Sequence, residues 1–283
     1  MAAAGVMRAK CLERVVASNL GNVDAARLGI SLSTRGFHQS LPLVSKGYKV
    51  NHSSSARRSV IITMASKKIQ LYSMATPNGQ KVGVALEEMG LEYDPHLINI
   101  RENQNYSPEF TKINPNAKIP AIVDPDGPDG HPIAVFESGA ILLYLAEKSG
   151  KFLSPNPRHR WETIQWVMFQ MAGVGPMFGQ FAHFYRTAKD KCLDPYPTER
   201  YRTEAMRLLA VVEKRLEGRE FLIDDGYSIA DMSLFPWIRF ARALFPEKLE
   251  LDKFPLVNAW AARCFARPAS AKGTEVLSLG LPA

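Results

Sequence analysis

The chain has 283 residues, of which 46% are hydrophobic and 22% are charged, and this composition is typical of globular proteins with room for two domains. No apolar run reaches the roughly 18 residues that a membrane-spanning helix needs, so we expect no membrane partner. The net charge of +7 lies in residues 1–66, which hold nine Lys and Arg against two acids, while the remainder holds 26 of each sign. The globular part therefore has no electrostatic basis for binding nucleic acid.

The first 66 residues have the composition of a targeting segment. They contain ten Ser, several Arg and few acids, and they show no sustained helix or strand pattern. Such a segment is typical of an organellar transit peptide. The opening "MAAA" and the Ser content favour the plastid (chloroplast) stroma, the spaced arginines leave the mitochondrion as an alternative, and a start at Met64 gives a cytosolic form. An untargeted, disordered tail is the remaining interpretation.

Residues 67–150 are predicted to alternate strands and helices in the order β-α-β-α-β-β-α. The segments in chain order are "KIQLYSM", "NGQKVGVALEEMG", "EYDPHLINI", "SPEFTKIN", "KIPAIVD", "PIAVF" and "ESGAILLYLAEKSG". Gly90 and Gly150 follow the first and last helices as C-terminal stops. Pro120 enters a strand that should pair on both sides, which is unusual, and in a thioredoxin-like fold it would be a cis-proline.

Residues 159–283 follow the Pro-rich linker "KFLSPNPRHR" and are predicted to be all helical. Three apolar stripes are predicted to face the core: Trp161, Ile164, Met168 and Met171; Tyr201, Ala205, Leu208, Leu209, Val212 and Leu216; and Phe254, Val257, Trp260, Ala261 and Cys264. Gly173, Gly175 and Pro176 predict a kink after the first stripe. Ser228 followed by Asp231 predicts a capping box at a helix start.

The cysteines supply no catalytic motif. Cys11 lies in the leader, Cys192 in a polar loop and Cys264 on an apolar stripe, and their spacing indicates neither a metal site nor a disulfide framework. The turn after the first strand would carry C-x-x-C in a redox thioredoxin. Here it reads Thr76, Pro77, Asn78 and Gly79, the stretch "TPNG". Thiol chemistry at this turn must therefore use a thiol that the protein binds.

Several segments resemble one enzyme family over about residues 68–270. They are "TPNGQKV", "SPEFTKINPNAKIPAIVD", "FESGAILLYLAEKSG", "GVGPMFGQFAHF" and "ERY". Together with the two-part architecture they resemble the glutathione S-transferases of the nu class, the disulfide-bond-reductase type, a group related to the fungal nitrogen-catabolite regulator. The resemblance implies an α/β thioredoxin-like N-terminal domain over 67–150 and an all-α C-terminal domain over 159–283. The leader is not rich in Gln or Asn, so the regulator's prion-like behaviour is not expected.

The resemblance also implies that glutathione, as co-substrate, supplies the missing sulfur and that no metal takes part. A free thiol has a pKa of about 8.5. A helix N-terminus and hydrogen bonds from the Thr76 hydroxyl or the Asn78 amide would favour the thiolate, which makes these two the predicted catalytic residues. Tyr72 and Ser73 are rivals, because other transferase classes use Tyr or Ser in this region.

The other predicted contacts follow the shape of glutathione. Glu137 would meet the γ-glutamyl ammonium, and Ser138 with the helix N-terminus would hold the carboxylate. Ile119, before the cis-proline, would pair its backbone with the cysteinyl unit. By resemblance alone, further contacts come from Gln104, Lys118 and Arg200, each of which is otherwise an ordinary surface residue.

The expected function is that of a dimeric glutathione transferase. Reduction of small disulfides is the most distinctive activity that the resemblance implies, with conjugation to electrophiles (a detoxification reaction) and peroxidase activity beside it. The alternative is a non-catalytic glutathione-binding regulator or ligand carrier with the same fold, and a docking module is a third possibility. The pocket for the second substrate cannot be read from the residues: Phe178, Phe181, His183 and Phe184 either line it or belong to the core.

Overall fold

The computed structural model describes residues 67–279, so the transit-peptide prediction for residues 1–66 falls outside the described part. The first half contains four strands and three helices: β1 (Ile69–Ser73), α1 (Pro77–Met89), β2 (Tyr93–Leu97), α2 (Pro108–Ile113), β3 (Ala121–Asp124), β4 (Ile133–Phe136) and α3 (Ser138–Ser149). Short 3₁₀ turns occur at Ile100–Glu102, Gln104–Tyr106 and Pro128–Gly130. The predicted order of strands and helices is confirmed.

The four strands form one mixed sheet in the order β2-β1-β3-β4. β1 pairs in parallel with β2, with Ile69 opposite Tyr93, and antiparallel with β3, where Tyr72 lies opposite Ala121. β3 and β4 are antiparallel neighbours. Pro95 is tolerated in β2 because that strand lies at the sheet edge, where one side needs no ladder hydrogen bonds. This is the thioredoxin-like arrangement that the sequence predicts.

The second half is helical. Its helices are α4 (Pro157–Phe169), α5 (Gly175–Ala182), α6 (Pro195–Arg215), α7 (Ile229–Leu244), α8 (Pro255–Phe265) and α9 (Pro268–Glu275). The irregularity predicted near Gly173 is a π-helical turn at Gln170–Val174; a second follows at His183–Thr187, and a 3₁₀ turn lies at Leu251–Lys253. Among residues 67–279, no helix is both long and apolar enough to cross a bilayer.

Helix α1 is held between the sheet and the C-terminal segment. Gly83 of α1 crosses Gly273 of α9 so closely that a Cβ on Gly83 would come within 2.3 Å of the Gly273 carbonyl oxygen. Two hydrogen bonds flank the turn before α1: the Ala75 amide donates to the Leu277 carbonyl at 3.2 Å, and the Gln80 side chain donates to the Thr274 carbonyl at 3.1 Å. The end of the described chain therefore packs against the beginning of α1.

Two of the three predicted core stripes are confirmed and one is partly wrong. The stripes of α6 and α8 face the core, and Cys264 is fully buried. On α4, however, Trp161 is 68% exposed and Met168 47% exposed. The buried face of this helix contains Trp166 and Val167 instead. Apolar residues occur on both faces of α4, so their spacing alone could not select the inner one.

The capping box at α7 is confirmed and extends into the core. Asp231 accepts hydrogen bonds from the backbone amides of Ser228 and Leu222, both at 2.9 Å, and from the indole of Trp260 at 2.8 Å. Burial raises the pKa of Asp231, and these hydrogen bonds oppose the shift. One carboxylate thus joins α7, the loop before it and α8.

Candidate functional site

The turn "TPNG" begins α1 and is shaped by backbone crowding. Thr76 is the N-cap, and its hydroxyl oxygen accepts a hydrogen bond from the Gly79 amide at 3.3 Å. A Cβ at Gly79 would lie 2.0 Å from the Met74 carbonyl oxygen, so only glycine fits there. Because the Thr76 oxygen already accepts from the helix, its proton remains available for a ligand. The turn therefore offers a hydroxyl donor beside the positive end of a 13-residue helix.

Asn78 is oriented by a residue of the helical domain. The indole nitrogen of Trp237 on α7 donates to Asn78 Oδ1 at 3.1 Å. Because an indole N–H can only donate, the Asn78 oxygen must face Trp237, and its amide N–H groups are left to donate elsewhere. Trp237 is 7% exposed and lies against Gly175 and Gly179, so the ring is held in place. No local pattern in the sequence predicts this contact, because the two residues are 159 positions apart.

A cleft next to this turn collects most of the predicted binding residues. It is lined by Asn78, Asn114, Lys118, Ile119, Pro120, Glu137 and Ser138. Five of these seven were predicted to bind glutathione. Gln104 and Arg200 are not among the lining residues: the Gln104 side chain accepts from the Asn99 amide at 2.9 Å and donates to Glu102 at 3.1 Å, and Arg200 lies on α6. Their predicted contacts with a ligand stay predictions.

The wall formed by residues 114–120 is fixed by a buried asparagine. Asn114 is 2% exposed; its side chain donates to the Lys118 carbonyl at 2.6 Å and accepts from the Asn116 amide at 2.9 Å. The Ile119–Pro120 bond is cis, as predicted. β3 begins only at Ala121, so the backbone of Ile119 lies outside the strand ladder. Asn114 was not among the predicted site residues, because a buried structural amide has no local signature in the sequence.

The opposite wall is the N-terminus of α3. Glu137 precedes the helix with φ 69° and ψ 116°, an uncommon conformation for a residue with a side chain, and its carboxylate makes no capping bond. Such outliers cluster at ligand sites. Ser138 follows, 3% exposed, at the first position of the helix, where free amides favour an anion. Glu137 is exposed, so its carboxylate can accept from a ligand. Because Glu137 immediately precedes α3, this acceptor lies beside the helix end that favours an anion.

Beneath this wall lies a buried lysine that the sequence analysis did not single out. Lys81 is on the inner side of α1 and is 0% exposed. Its ammonium donates to Ser138 Oγ at 3.1 Å and to Gln170 Oε1. Burial lowers the pKa of Lys81 from 10.5 to about 7, and the charge of Glu137 opposes the shift. The available signal was a Lys within the apolar run "KVGVAL", which is unusual for a charged residue.

The two rival donors are placed less favourably than Thr76. The ring of Tyr72 stacks on His96, with ring centroids 4.7 Å apart, and desolvation raises the pKa of its hydroxyl. Ser73 is 2% exposed and directs its hydroxyl to the Met74 carbonyl at 3.4 Å. None of the three lines the cleft itself. The advantage of Thr76 is that its half-buried hydroxyl lies at the start of α1, next to Asn78, which does line the cleft.

The aromatic cluster after the π-helical turn divides into two groups. Phe178 and Phe181 are buried at 2% and 1% exposure, which favours the core interpretation for this pair. His183 is exposed and Phe184 is half-buried, stacked on Tyr201 with centroids 5.7 Å apart. Within the described residues, no group of His, Cys, Asp or Glu could hold a metal ion.

A second, larger cavity lies away from this cleft. It is lined by Gly150, residues 152–155, Thr163, Ile223 and residues 225–228. Asp225 there contacts both the His159 ring and the Ser154 hydroxyl. Because the serine donates to the carboxylate and not to the histidine, this arrangement does not activate a nucleophile. The cleft between α1 and α3 is therefore the stronger candidate site.

The sheet, the cis-proline and the two helix N-termini define a thioredoxin-type binding site completed by a helical domain. The family model for the glutathione S-transferase N-terminal domain matches residues 67–147, and that for the C-terminal domain matches residues 180–268. The disulfide-bond oxidoreductase YfcG of Escherichia coli is 44% identical over 213 residues, which cover 75% of this chain and 97% of that protein.

Solved structures agree. A glutathione transferase from Burkholderia graminis, with two glutathione molecules bound per subunit, is 50% identical, with a TM-score of 0.72 over 74% of this chain and 88% of that one. A glutathione transferase from Pseudomonas putida, with one glutathione disulfide bound per subunit, is 46% identical, with a TM-score of 0.70 over 74% of this chain and 92% of that one. The chain belongs to the glutathione S-transferase family, and its relatives include the disulfide-bond oxidoreductases.

Proposed function

We propose that this protein binds glutathione in the cleft between α1 and α3, ionises its thiol and uses the thiolate to reduce disulfides. The observation that carries the proposal is the pair of donors at the start of α1: the free proton of the Thr76 hydroxyl and the amide of Asn78, whose oxygen is engaged by Trp237. Of the two cysteines in the described residues, Cys264 is buried and Cys192 lies outside the cleft, so the proposed sulfur is that of glutathione.

The proposed binding mode follows the chemistry of the two walls. Glu137 meets the ammonium of the γ-glutamyl unit, while Ser138 and the amides of α3 hold its carboxylate. Ile119 offers unpaired backbone to the cysteinyl unit, and Lys118 lies on the same wall for the glycyl end. This mode brings the sulfur to the N-terminus of α1, where donors and the helix dipole favour the thiolate.

The proposed reaction balances without an external oxidant. The bound thiolate attacks one sulfur of a disulfide, forming a mixed disulfide with glutathione and expelling the other sulfur as a thiolate that takes up a proton. A second glutathione thiolate then attacks the mixed disulfide, releasing the second thiol and glutathione disulfide. The same thiolate attacks electrophiles in conjugation, because thiolate chemistry requires mainly ionisation and positioning.

The test is turnover of a small disulfide by the full chain with excess glutathione. We expect Thr76→Ala and Asn78→Ala to lower kcat at least tenfold, because each removes a donor worth about 1.5–3 kcal/mol to a charged acceptor. Tyr72→Phe is the matched control and should retain wild-type rates. A non-catalytic carrier would bind glutathione without turnover in the wild type, which is the result that favours the alternative function.

We also propose that the protein is a homodimer that uses the outer face of α4. Trp161 and Met168 lie two turns apart on this helix and are both largely exposed. Large apolar side chains that share an exposed face are typical of protein interfaces. Sedimentation should show a dimer that Trp161→Glu dissociates, whereas Tyr196→Glu, a control at a 65% exposed residue on α6, should leave it intact.

For localisation we propose that residues 1–66 direct import into plastids, as their composition suggests. A reporter fused to this segment should enter isolated plastids and be shortened there. Import into mitochondria only, or retention outside both organelles, would contradict the proposal.

A further inference from the structure

Lys81 has no part in the thiolate chemistry proposed above, although it lies directly beneath the ligand cleft. Its ammonium donates to Ser138 Oγ at 3.1 Å and to Gln170 Oε1 at 2.5 Å, and it lies 3.6 Å from Met171 Sδ. Burying a lysine without an opposite charge is costly, so a fully buried one calls for a physical reason.

The ammonium of Lys81 has no carboxylate among its hydrogen-bond partners. Glu137, just before α3, is the charged group that acts on it, and its neighbours from α3 and the π-helical turn are neutral: Ser138, Gln170 and Met171. Desolvation outweighs the attraction of Glu137 and lowers the pKa of Lys81 to about 7. An added anion near Ser138 would favour the charged lysine.

The hydrogen bonds of Ser138 indicate where that anion binds. In its charged form Lys81 can only donate, so Ser138 Oγ then accepts from it and the serine proton points elsewhere. In the structure Ser138 Oγ donates to Met171 Sδ, with 3.4 Å between the oxygen and the sulfur. A thioether is a weak acceptor. A carboxylate in the cleft is a much stronger acceptor and would take this hydrogen bond.

The helical domain holds the lysine in this position. Gln170 is fully buried and begins the π-helical turn, an irregularity that often marks functional sites. Its side-chain oxygen faces Lys81 because the ammonium has no acceptor to offer. Lys81, Ser138 and Gln170 therefore form a buried bridge from α1 to α3 and to the helical domain.

We propose that Lys81 is a positioning residue for the α-carboxylate of the γ-glutamyl unit: it turns the Ser138 hydroxyl toward that group, acts as its buried counter-charge and takes up a proton when it binds. The proposal rests on the proposed binding of glutathione. It assigns recognition of the carboxylate to a cation below the cleft, in addition to the amides of α3.

The test uses S-methylglutathione, whose blocked sulfur cannot release a proton, and the same molecule without its γ-glutamyl α-carboxyl group. Calorimetry in buffers of different ionisation enthalpy gives the affinity and the protons taken up on binding. With an unliganded pKa of about 7, we expect wild type at pH 7 to take up close to half a proton with S-methylglutathione and none with the decarboxylated analogue.

Lys81→Met removes the charge and keeps an unbranched side chain, one atom shorter than that of lysine. We expect it to abolish the proton uptake and to reduce the preference for S-methylglutathione over the analogue about tenfold, as loss of a buried counter-charge predicts. Lys214→Met, at a lysine with a 78% exposed side chain, is the matched control and should leave both quantities unchanged.

The possible outcomes separate the two proposals. If wild type binds S-methylglutathione without proton uptake, or if folded Lys81→Met keeps the wild-type preference, the role of Lys81 is refuted and glutathione binding stands. If wild type does not bind S-methylglutathione, both proposals fail. Circular dichroism checks the fold of Lys81→Met. If that variant does not fold, the number of protons that wild type takes up with S-methylglutathione tests the role of Lys81 alone.

Discussion

Replacing Thr76 with Val removes one hydroxyl group and nearly preserves side-chain volume. In the structure the hydroxyl oxygen accepts from the Gly79 amide at 3.3 Å. In the proposed mechanism its proton donates to the sulfur of bound glutathione. A hydrogen bond to a charged acceptor contributes about 1.5–3 kcal/mol, and one pKa unit corresponds to about 1.36 kcal/mol. We therefore expect Thr76→Val to raise the pKa of the bound glutathione thiol by about 1–2 units.

Loss of the N-cap gives a second, independent effect. An N-cap substitution costs about 0.5–2 kcal/mol, so the free energy of unfolding measured in urea should fall by that amount. Thr76→Ser keeps both hydrogen bonds and should resemble wild type in both measurements. The thiol pKa is read from the ultraviolet absorbance of the bound thiolate as pH is varied.

The two measurements separate catalysis from structure. If Thr76→Val loses stability but the bound thiol titrates as in wild type, the hydroxyl is only a helix cap and the proposed donor role is wrong. Some stabilisation of the thiolate should survive in this variant, because the dipole of the 13-residue α1 and the Asn78 amide remain.

Three further predictions concern residues that act at a distance. Trp237→Phe removes the indole donor that fixes the Asn78 amide; we expect a raised thiol pKa and a lower kcat with little change in KM for glutathione, and an unchanged titration would show that Asn78 needs no orienting partner. The folded-state pKa of Lys81 is about 7 and its unfolded value is 10.5, so above pH 7 the unfolded chain binds more protons and stability should rise with pH. Urea unfolding at pH 7 and pH 9 should therefore show wild type gaining stability relative to Lys81→Met, and equal changes in both proteins would contradict this. Asp231→Ala leaves four donors in the core without their acceptor, each worth about 1–3 kcal/mol, so it should lower the free energy of unfolding by several kcal/mol. Asp231→Asn should be less damaging because it keeps an acceptor oxygen.

Much of the fold could be predicted because its determinants are local. Thr76, Ser107 and Ser228 cap helices within three or four residues of themselves, and Gly90 and Gly150 end helices with φ near +70°. These caps and stops can be read within a short window of sequence. The cis-proline needed more, because it was inferred from a proline at the entry to a paired strand of a thioredoxin-like fold.

The remaining parts of the site depend on contacts between distant residues. Asn78 and Trp237 are 159 positions apart, and Lys81 and Gln170 are 89 apart. No local pattern links such pairs, so the sequence predicted the residues of the turn and not the partners that orient them. The core stripe predicted for α4 was partly wrong for a different reason. Apolar residues lie on both faces of this helix, so their spacing does not show which face is buried.

The close crossing of Gly83 and Gly273 has a consequence for variants that are far from the cleft in sequence. Thr274 and Leu277 reach Gln80 and Ala75, on either side of the "TPNG" turn, so this segment is a neighbour of the turn proposed to hold the glutathione sulfur. Substitutions that displace residues 274–277 should therefore disturb ionisation of the bound thiol without changing any residue that lines the cleft.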